Sequence, residues 1–110
     1  MASYMNTFKA EQLLQPVLEF VKEFEGEGYY TGIIQELENE GIESFLTSNS
    51  LWGGAGSVAD QTGIDGGRET RRKIEDLLIT LGEFQISVGV VNPKTKSWVE
   101  VFKKWKQNNI

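Results

Sequence analysis

Between Ser48 and Gly67 the chain reads SNSLWGGAGSVADQTGIDGG, which places six of its 12 glycines (Gly53, Gly54, Gly56, Gly63, Gly66 and Gly67) in one short span. Glycine weakens helices and strands alike and permits positive φ and close backbone approach. Two segments of helical periodicity precede this span and two follow it, so it reads as a long irregular connection between two helical pairs. Connections of that length are usually functional or disordered, and the apolar Leu51, Trp52, Val58 and Ile64 within it favour order. The expectation is an ordered, partly buried loop, with Gly53, Gly54, Gly56, Ser57 and Asp60 as its structural residues.

The flanking segments set the fold class. Leu14, Val17, Leu18, Val21 and Phe24 recur three or four apart after Asn6 and Thr7, either of which can cap a first helix. Pro16 falls inside that pattern, which predicts a kink there or a helix proper that begins at Pro16. The run Glu23 to Gly28 should end it. A second helix is predicted from Tyr29 or Thr31 to Glu40, with Ile33, Ile34 and Leu37 on one side, Gly41 as its break, and a further turn through Ile42, Phe45 and Leu46. Asp65 is placed to cap a third helix along Ile74, Leu77, Leu78, Leu81, Phe84, Val88 and Val91. Asn92-Pro93 is a boundary, and a last helix follows from about Ser97, with Trp98, Val99, Val101, Phe102 and Trp105 on its apolar face.

One segment reads two ways. Phe84, Ile86, Val88 and Val90 alternate with polar or small residues at period two, a strand signal that opens an α+β alternative with a short strand at 83–91. Helix is preferred because a lone strand needs a partner, and only the stretch around Gly28 to Ile34 offers a weak one. The reading is an all-α fold, a small bundle of four or five helices. Residues 1–110 form one domain, with residues 1–5 as a frayed start.

Charge is more informative by position than in total. Residues 1–60 carry ten acids against Lys9 and Lys22, a net charge of −8, while residues 61–110 carry nine basic groups against six acids, a net charge of +3. The two parts should attract each other, and the first should present a negative field to a cationic partner. Arg68, Arg71, Arg72 and Lys73 crowd a helix start where the macrodipole disfavours cations, so partners are expected for them, most simply the glutamates of the second helix. No apolar run reaches the length of a membrane-spanning helix, and the start lacks a signal-peptide layout. A cytoplasmic location, with no membrane partner, is expected.

Catalytic chemistry finds little support. The chain has neither cysteine nor histidine, which removes thiolate metal sites, disulfides, the commonest metal ligand and the usual general base near neutral pH. Gly53-Gly54-Ala55-Gly56-Ser57 lacks the lysine and spacing of a nucleoside-triphosphate loop and follows no convincing strand. Ser57 has no G-x-S-x-G context. Asp60 and Asp65 do not repeat the ligand order of a calcium loop. Trp98 and Trp105 beside Lys103, Lys104 and Lys106 could face a polyanion, but seven-residue spacing puts both rings on one helical face, where burial explains them, and the overall charge of −5 opposes nucleic acid. No enzyme activity, cofactor or metal is expected.

The segment Leu51-Trp52-Gly53-Gly54-Ala55-Gly56-Ser57-Val58-Ala59-Asp60 resembles a loosely defined group of small bacterial helical proteins whose hallmark is an L-W-G-G-x-G-S loop. Small acidic helical proteins of this kind are also similar to bacterial immunity proteins, which bind and neutralise a toxin made by the same bacterium. That likeness implies a non-enzymatic binding protein whose acidic surface docks on a basic toxin domain. Contacts are expected from Glu36, Glu38, Glu40 and Glu43, with Tyr29, Tyr30 or Trp52 as aromatic anchors. Two other readings stand beside it: a structural or regulatory homo-oligomer, such as a homo-dimer, that pairs through Phe84 to Val91, and a ligand-binding or enzymatic domain using Ser57 and Asp60.

Overall fold

The computed structural model of the chain describes residues 6–63 and 67–110. Among the described residues every regular element is helical and there is no strand. In order these are α1 (Thr7–Phe24), α2 (Glu27–Glu40), the short α3 (Ile42–Leu46) and α4 (Asn49–Trp52), a 3₁₀ turn (Asp60–Gly63), α5 (Gly67–Val88) and α6 (Thr95–Gln107). The small helical bundle predicted from periodicity is the fold. The expected frayed start at residues 1–5 and the capping role of Asp65 lie outside the described residues.

Helix α1 begins where the sequence suggests: Asn6 Oδ1 accepts the Lys9 amide at 3.0 Å. It then passes through Pro16 instead of starting there. A proline inside a helix costs about 3 kcal/mol, but Ala10 and Leu14 before it and Val17, Leu18 and Val21 after it are all buried on one stripe. Packing of that continuous face outweighs the missing hydrogen bond. Gly26 (φ +97°) separates α1 from α2 and Gly41 (φ +87°) separates α2 from α3, both in conformations that favour glycine. Gly28, read from the sequence as part of the first helix's end, lies instead inside α2.

Helix α5 packs on both α1 and α6. It settles the ambiguity at 83–91: the segment is helical to Val88, and Gly89 (φ +76°) ends it, short of the predicted Val91. The inward positions are Ile74, Leu78, Leu81, Gly82 and Gln85, whereas Ile86 is 41% exposed. Burial at Gln85 with exposure at Ile86 breaks the period-two pattern, because the face turned to the core here carries an amide and a glycine. At Gly82 the side chains of α6 and α4 come close to the helix backbone. A Cβ on it would overlap Val99 Cγ2 and stand 3.2 Å from the Trp52 ring.

The core gathers Phe45, Leu46, Leu51, Trp52, Ile74, Leu78, Leu81 and Phe102, all essentially inaccessible. Trp52 is its junction. Its indole Nε1 donates to Gln85 Oε1 at 3.0 Å, and its carbonyl accepts from Trp98 Nε1 at 3.0 Å. The fully buried Gln85 amide donates in turn to the carbonyls of Leu46 and Val90, each at 2.8 Å. A second polar node forms at Asn92, whose Nδ2 donates to Thr47 O (2.9 Å) and Asn49 Oδ1 (3.0 Å). Asn92 also starts α6 two residues earlier than the expected Ser97: its amide donates to the buried Thr95 Oγ1 at 3.0 Å, and its Oδ1 accepts from Lys94 N at 2.9 Å.

The arginines of α5 have other partners than the α2 glutamates. Arg71 and Arg72 pair with Glu75 one turn on, at 3.2 Å and 3.9 Å, and both donate to the Ile110 carbonyl, while Arg68 donates to Asn109 O at 2.9 Å. Arg71 also lies 5.6 Å from the centre of the Trp105 ring. Burial of Glu75 raises its carboxyl above the usual range, and Arg71 and Arg72 offset only part of that. Lys103–Glu83 and Lys106–Asp76 (3.0 Å) join α6 to α5. These exposed pairs add little stability, so the apolar face of α6 carries its docking.

Candidate functional site: an acidic cleft between α2 and the glycine loop

From Gly53 to Ser57 the glycine-rich loop is held by anchors on both sides. Leu51 and Trp52 enter the core in α4, Val58 and Ala59 follow them, and the Val58 and Ala59 amides donate to Ser50 O (2.9 Å) and Leu51 O (3.0 Å). The chain thus folds back on itself across Gly53 to Ser57. Two glycines are required there for different reasons. At Gly53 a Cβ would stand 2.5 Å from the Asn49 Cα, and Gly56 has φ +84°. Gly54 has neither restriction, since its nearest neighbour would be the Lys94 amine at 3.6 Å. Ser57 is 2% exposed and its hydroxyl accepts the Asp60 amide at 3.1 Å, capping the 3₁₀ turn, while Asp60 Oδ2 accepts the Gly56 amide at 3.2 Å.

This loop is laid against α2. Tyr29 donates its hydroxyl to Gly56 O at 2.7 Å, and Ser50 donates to Glu36 Oε1 at 2.6 Å. Between these two bridges lies an open cleft of about 330 Å³, lined by Gly28, Tyr29, Gly32, Ile33, Glu36, Ser50 and Gly56. Its volume lies at the lower end of the ~300–1,000 Å³ usual for ligand pockets. Glu36 supplies the acid in its wall, and Glu25 and Asp60 act on Tyr29 from beyond the lining. Burial first, then the charges of Glu25, Asp60 and Glu36, push the Tyr29 phenol from 10.0 up to about 12.

That shift has a testable sign. The folded phenol holds its proton more tightly than the unfolded one, so the neutral form supports the fold below pH 10 and this support is lost as pH rises through about 12. In a Tyr4→Phe/Tyr30→Phe background, phenolate absorbance should rise near pH 12 for the folded protein and near 10 in denaturant. A midpoint of 10 with helical structure intact would contradict the burial of this phenol among the acids beside the loop.

No protein-family model, curated protein or solved structure matches the chain.

Residues singled out in the sequence are thus brought together in part. Tyr29 and Glu36 meet the loop residue Gly56 at one cleft, and Asp60 stands behind it, accepting the Gly56 amide. Glu38, Glu40 and Glu43 are exposed beyond it. Tyr30 points elsewhere, half-buried with the Lys22 amine 5.4 Å from its ring centre. Trp52 is not an aromatic anchor for a partner: it is wholly buried, because its indole closes the hydrogen bonds of the core. Sequence reading missed Gly28, Gly32 and Ser50. The available signal was the pair of glycines four apart within a helical segment, which places both on one face with no side chain above it. Among the described residues no group of three His, Cys, Asp or Glu side chains is arranged to hold a metal ion, and no helix is long and apolar enough to cross a membrane.

Proposed function

We propose that the protein is a non-enzymatic binding protein, an immunity-type inhibitor that neutralises a cognate bacterial toxin by docking its acidic α2 and glycine-loop face on a basic domain of that toxin. The observation that carries this reading is the cleft itself, an open space on the α2 face between the two bridges, Tyr29 to Gly56 and Glu36 to Ser50, that tie one acidic helix to the loop. The net charge of −8 over residues 1–60 would speed encounter with a basic surface and select against acidic ones. The loop's resemblance to small bacterial helical proteins and the missing histidine and cysteine point the same way. Cytoplasmic action against a toxin made in the same cell belongs to this reading.

Gly32 supplies a specific test. It sits inside α2, and nothing lies within 4 Å of where a Cβ would be. Gly32→Ala should therefore raise the unfolding free energy by about 0.5–1 kcal/mol through helix propensity alone, measured by urea denaturation. Filling the cleft with Gly32→Leu, or reversing its charge with Glu36→Lys, should abolish co-purification with the product of the adjacent gene and abolish rescue of growth on co-expression. If the unaltered protein neither binds nor protects, the immunity reading fails.

A second reading, a homo-oligomer, is favoured by one observation. Ile86 is 41% exposed in an α5–α6 groove of about 320 Å³ that also holds Glu83, Lys96, Glu100 and Lys103, charges of both signs that a second copy could match about a two-fold axis. Sedimentation at several concentrations decides it, because a monomer at every concentration excludes it.

A further inference from the structure

We infer that the groove between α1 and α2 is a second docking surface, shaped for a basic amphipathic helix of a protein partner. It shares no residue with the Tyr29–Glu36 cleft, and rests on the binding-protein reading only in requiring a partner. The groove holds about 400 Å³. Leu14 and Leu18 form its floor, and Ile34, Leu37 and Ile42 line it half-buried, leaving apolar surface that no element of this chain covers among the described residues. Phe8, 69% exposed, lies one turn before Glu11 on the same face of α1 and extends the apolar strip past the end of the groove.

The charges around this strip are mainly acidic, with Lys9 beside Phe8 and Lys22, over the Tyr30 ring, as the cations at its ends. Glu11 lies in the α1 wall beside Gln15. On α2, Glu38 stands one turn beyond Ile34 and Glu40 one turn beyond Leu37, and Glu43 adjoins Ile42; all three glutamates are exposed. The lining contains no cation. An apolar strip bounded by carboxylates complements a helix with Leu, Ile or Phe at i, i+3, i+4 and i+7 and Lys or Arg flanking them. A third helix laid on the α1–α2 hairpin continues the packing of this bundle. An acidic helix or an anionic lipid surface would meet like charge instead.

The test uses a fluorescein-labelled peptide as long as α1, built of leucine and lysine with helical period. Its controls are the same residues scrambled to remove the period and a leucine–glutamate version. Saturable anisotropy is expected for the first peptide alone. Phe8→Ser/Glu11→Lys/Glu38→Lys, all at exposed positions, should weaken it about tenfold or more, whereas the equal charge reversal Glu69→Lys/Glu100→Lys on α5 and α6 should change it less than about twofold. Circular dichroism melts establish that both variants fold. Equal binding of the scrambled peptide, equal effects of the two charge reversals, or no binding at all would overturn the inference. Glu36→Lys and Gly32→Leu separate the two surfaces: they should abolish toxin protection and leave the apolar register of peptide binding intact.

Discussion

Gln85→Leu should lower the unfolding free energy by about 3–5 kcal/mol, although leucine nearly preserves the volume and raises the hydrophobicity of the core. The loss comes from what the amide leaves behind. Trp52 Nε1, Leu46 O and Val90 O would each stay buried without the partner that Gln85 now provides, and each stranded group costs roughly 1–3 kcal/mol, less whatever local relaxation recovers. A double-mutant cycle isolates the indole bond. Trp52→Phe should be less damaging in the Gln85→Leu background than in the wild type by about 1 kcal/mol or more, because the donor it removes is by then already unpaired. Chemical denaturation of the four proteins provides the numbers. Additive effects would mean that the indole and the amide are not coupled.

The second large effect is Gly82→Ala, with an expected loss of about 1–3 kcal/mol. Helix propensity alone favours alanine here by about 1 kcal/mol, so the sign rests on packing. The added methyl overlaps Val99 Cγ2 and presses on the Trp52 ring, both well buried, and relief requires Val99 to leave its preferred rotamer or α6 to move off α5. Gly32→Ala is the matched comparison, since the same substitution in the middle of α2 meets open space. Opposite signs at the two glycines, read from urea midpoints, would separate a glycine that lets helices approach from one that keeps a cleft open. A Gly82→Ala protein as stable as the wild type would remove the close-approach role.

How much of this was legible in the sequence follows from what each signal depends on. The helices of α1, α5 and α6 announce themselves because their apolar stripes repeat over several turns, and the anchoring of the glycine loop by Leu51, Trp52 and Val58 could be read from apolar residues in an otherwise polar span. Gly54, grouped with the structural glycines, has no steric reason to be one. Gly82 was invisible, since a single glycine in a helix does not say which helix it faces. Gln85 was invisible for a related reason: a polar residue on an apolar stripe looks like an interruption until its three partners, supplied by residues 46, 52 and 90, are in place. The arginines of α5 were assigned to the wrong acids because net charge over a segment carries no geometry, and Glu75 lies only one turn from Arg71. Of the candidate site, Tyr29 and Glu36 were named, but their convergence with Gly56 depends on how the loop folds back on α4.

The polar links around Trp52 and Asn92 also fix an order of events. Each joins the α3–α4 segment to residues 33 to 46 positions later: Trp52 to Gln85 and Trp98, Leu46 to Gln85, and Thr47 and Asn49 to Asn92. During synthesis, α1 to α4 and the glycine loop would leave the ribosome well before the groups that satisfy them, with an indole and several carbonyls still bonded to water. The α1–α2 hairpin, whose contacts are local, can form early, whereas the Trp52 carbonyl at the start of the loop gains its partner only once Trp98 has emerged. A nascent chain stalled before Gln85 emerges would hold all the residues of the cleft, Gly28 to Gly56, but none of the partners that pair the Trp52 indole and the α3–α4 carbonyls.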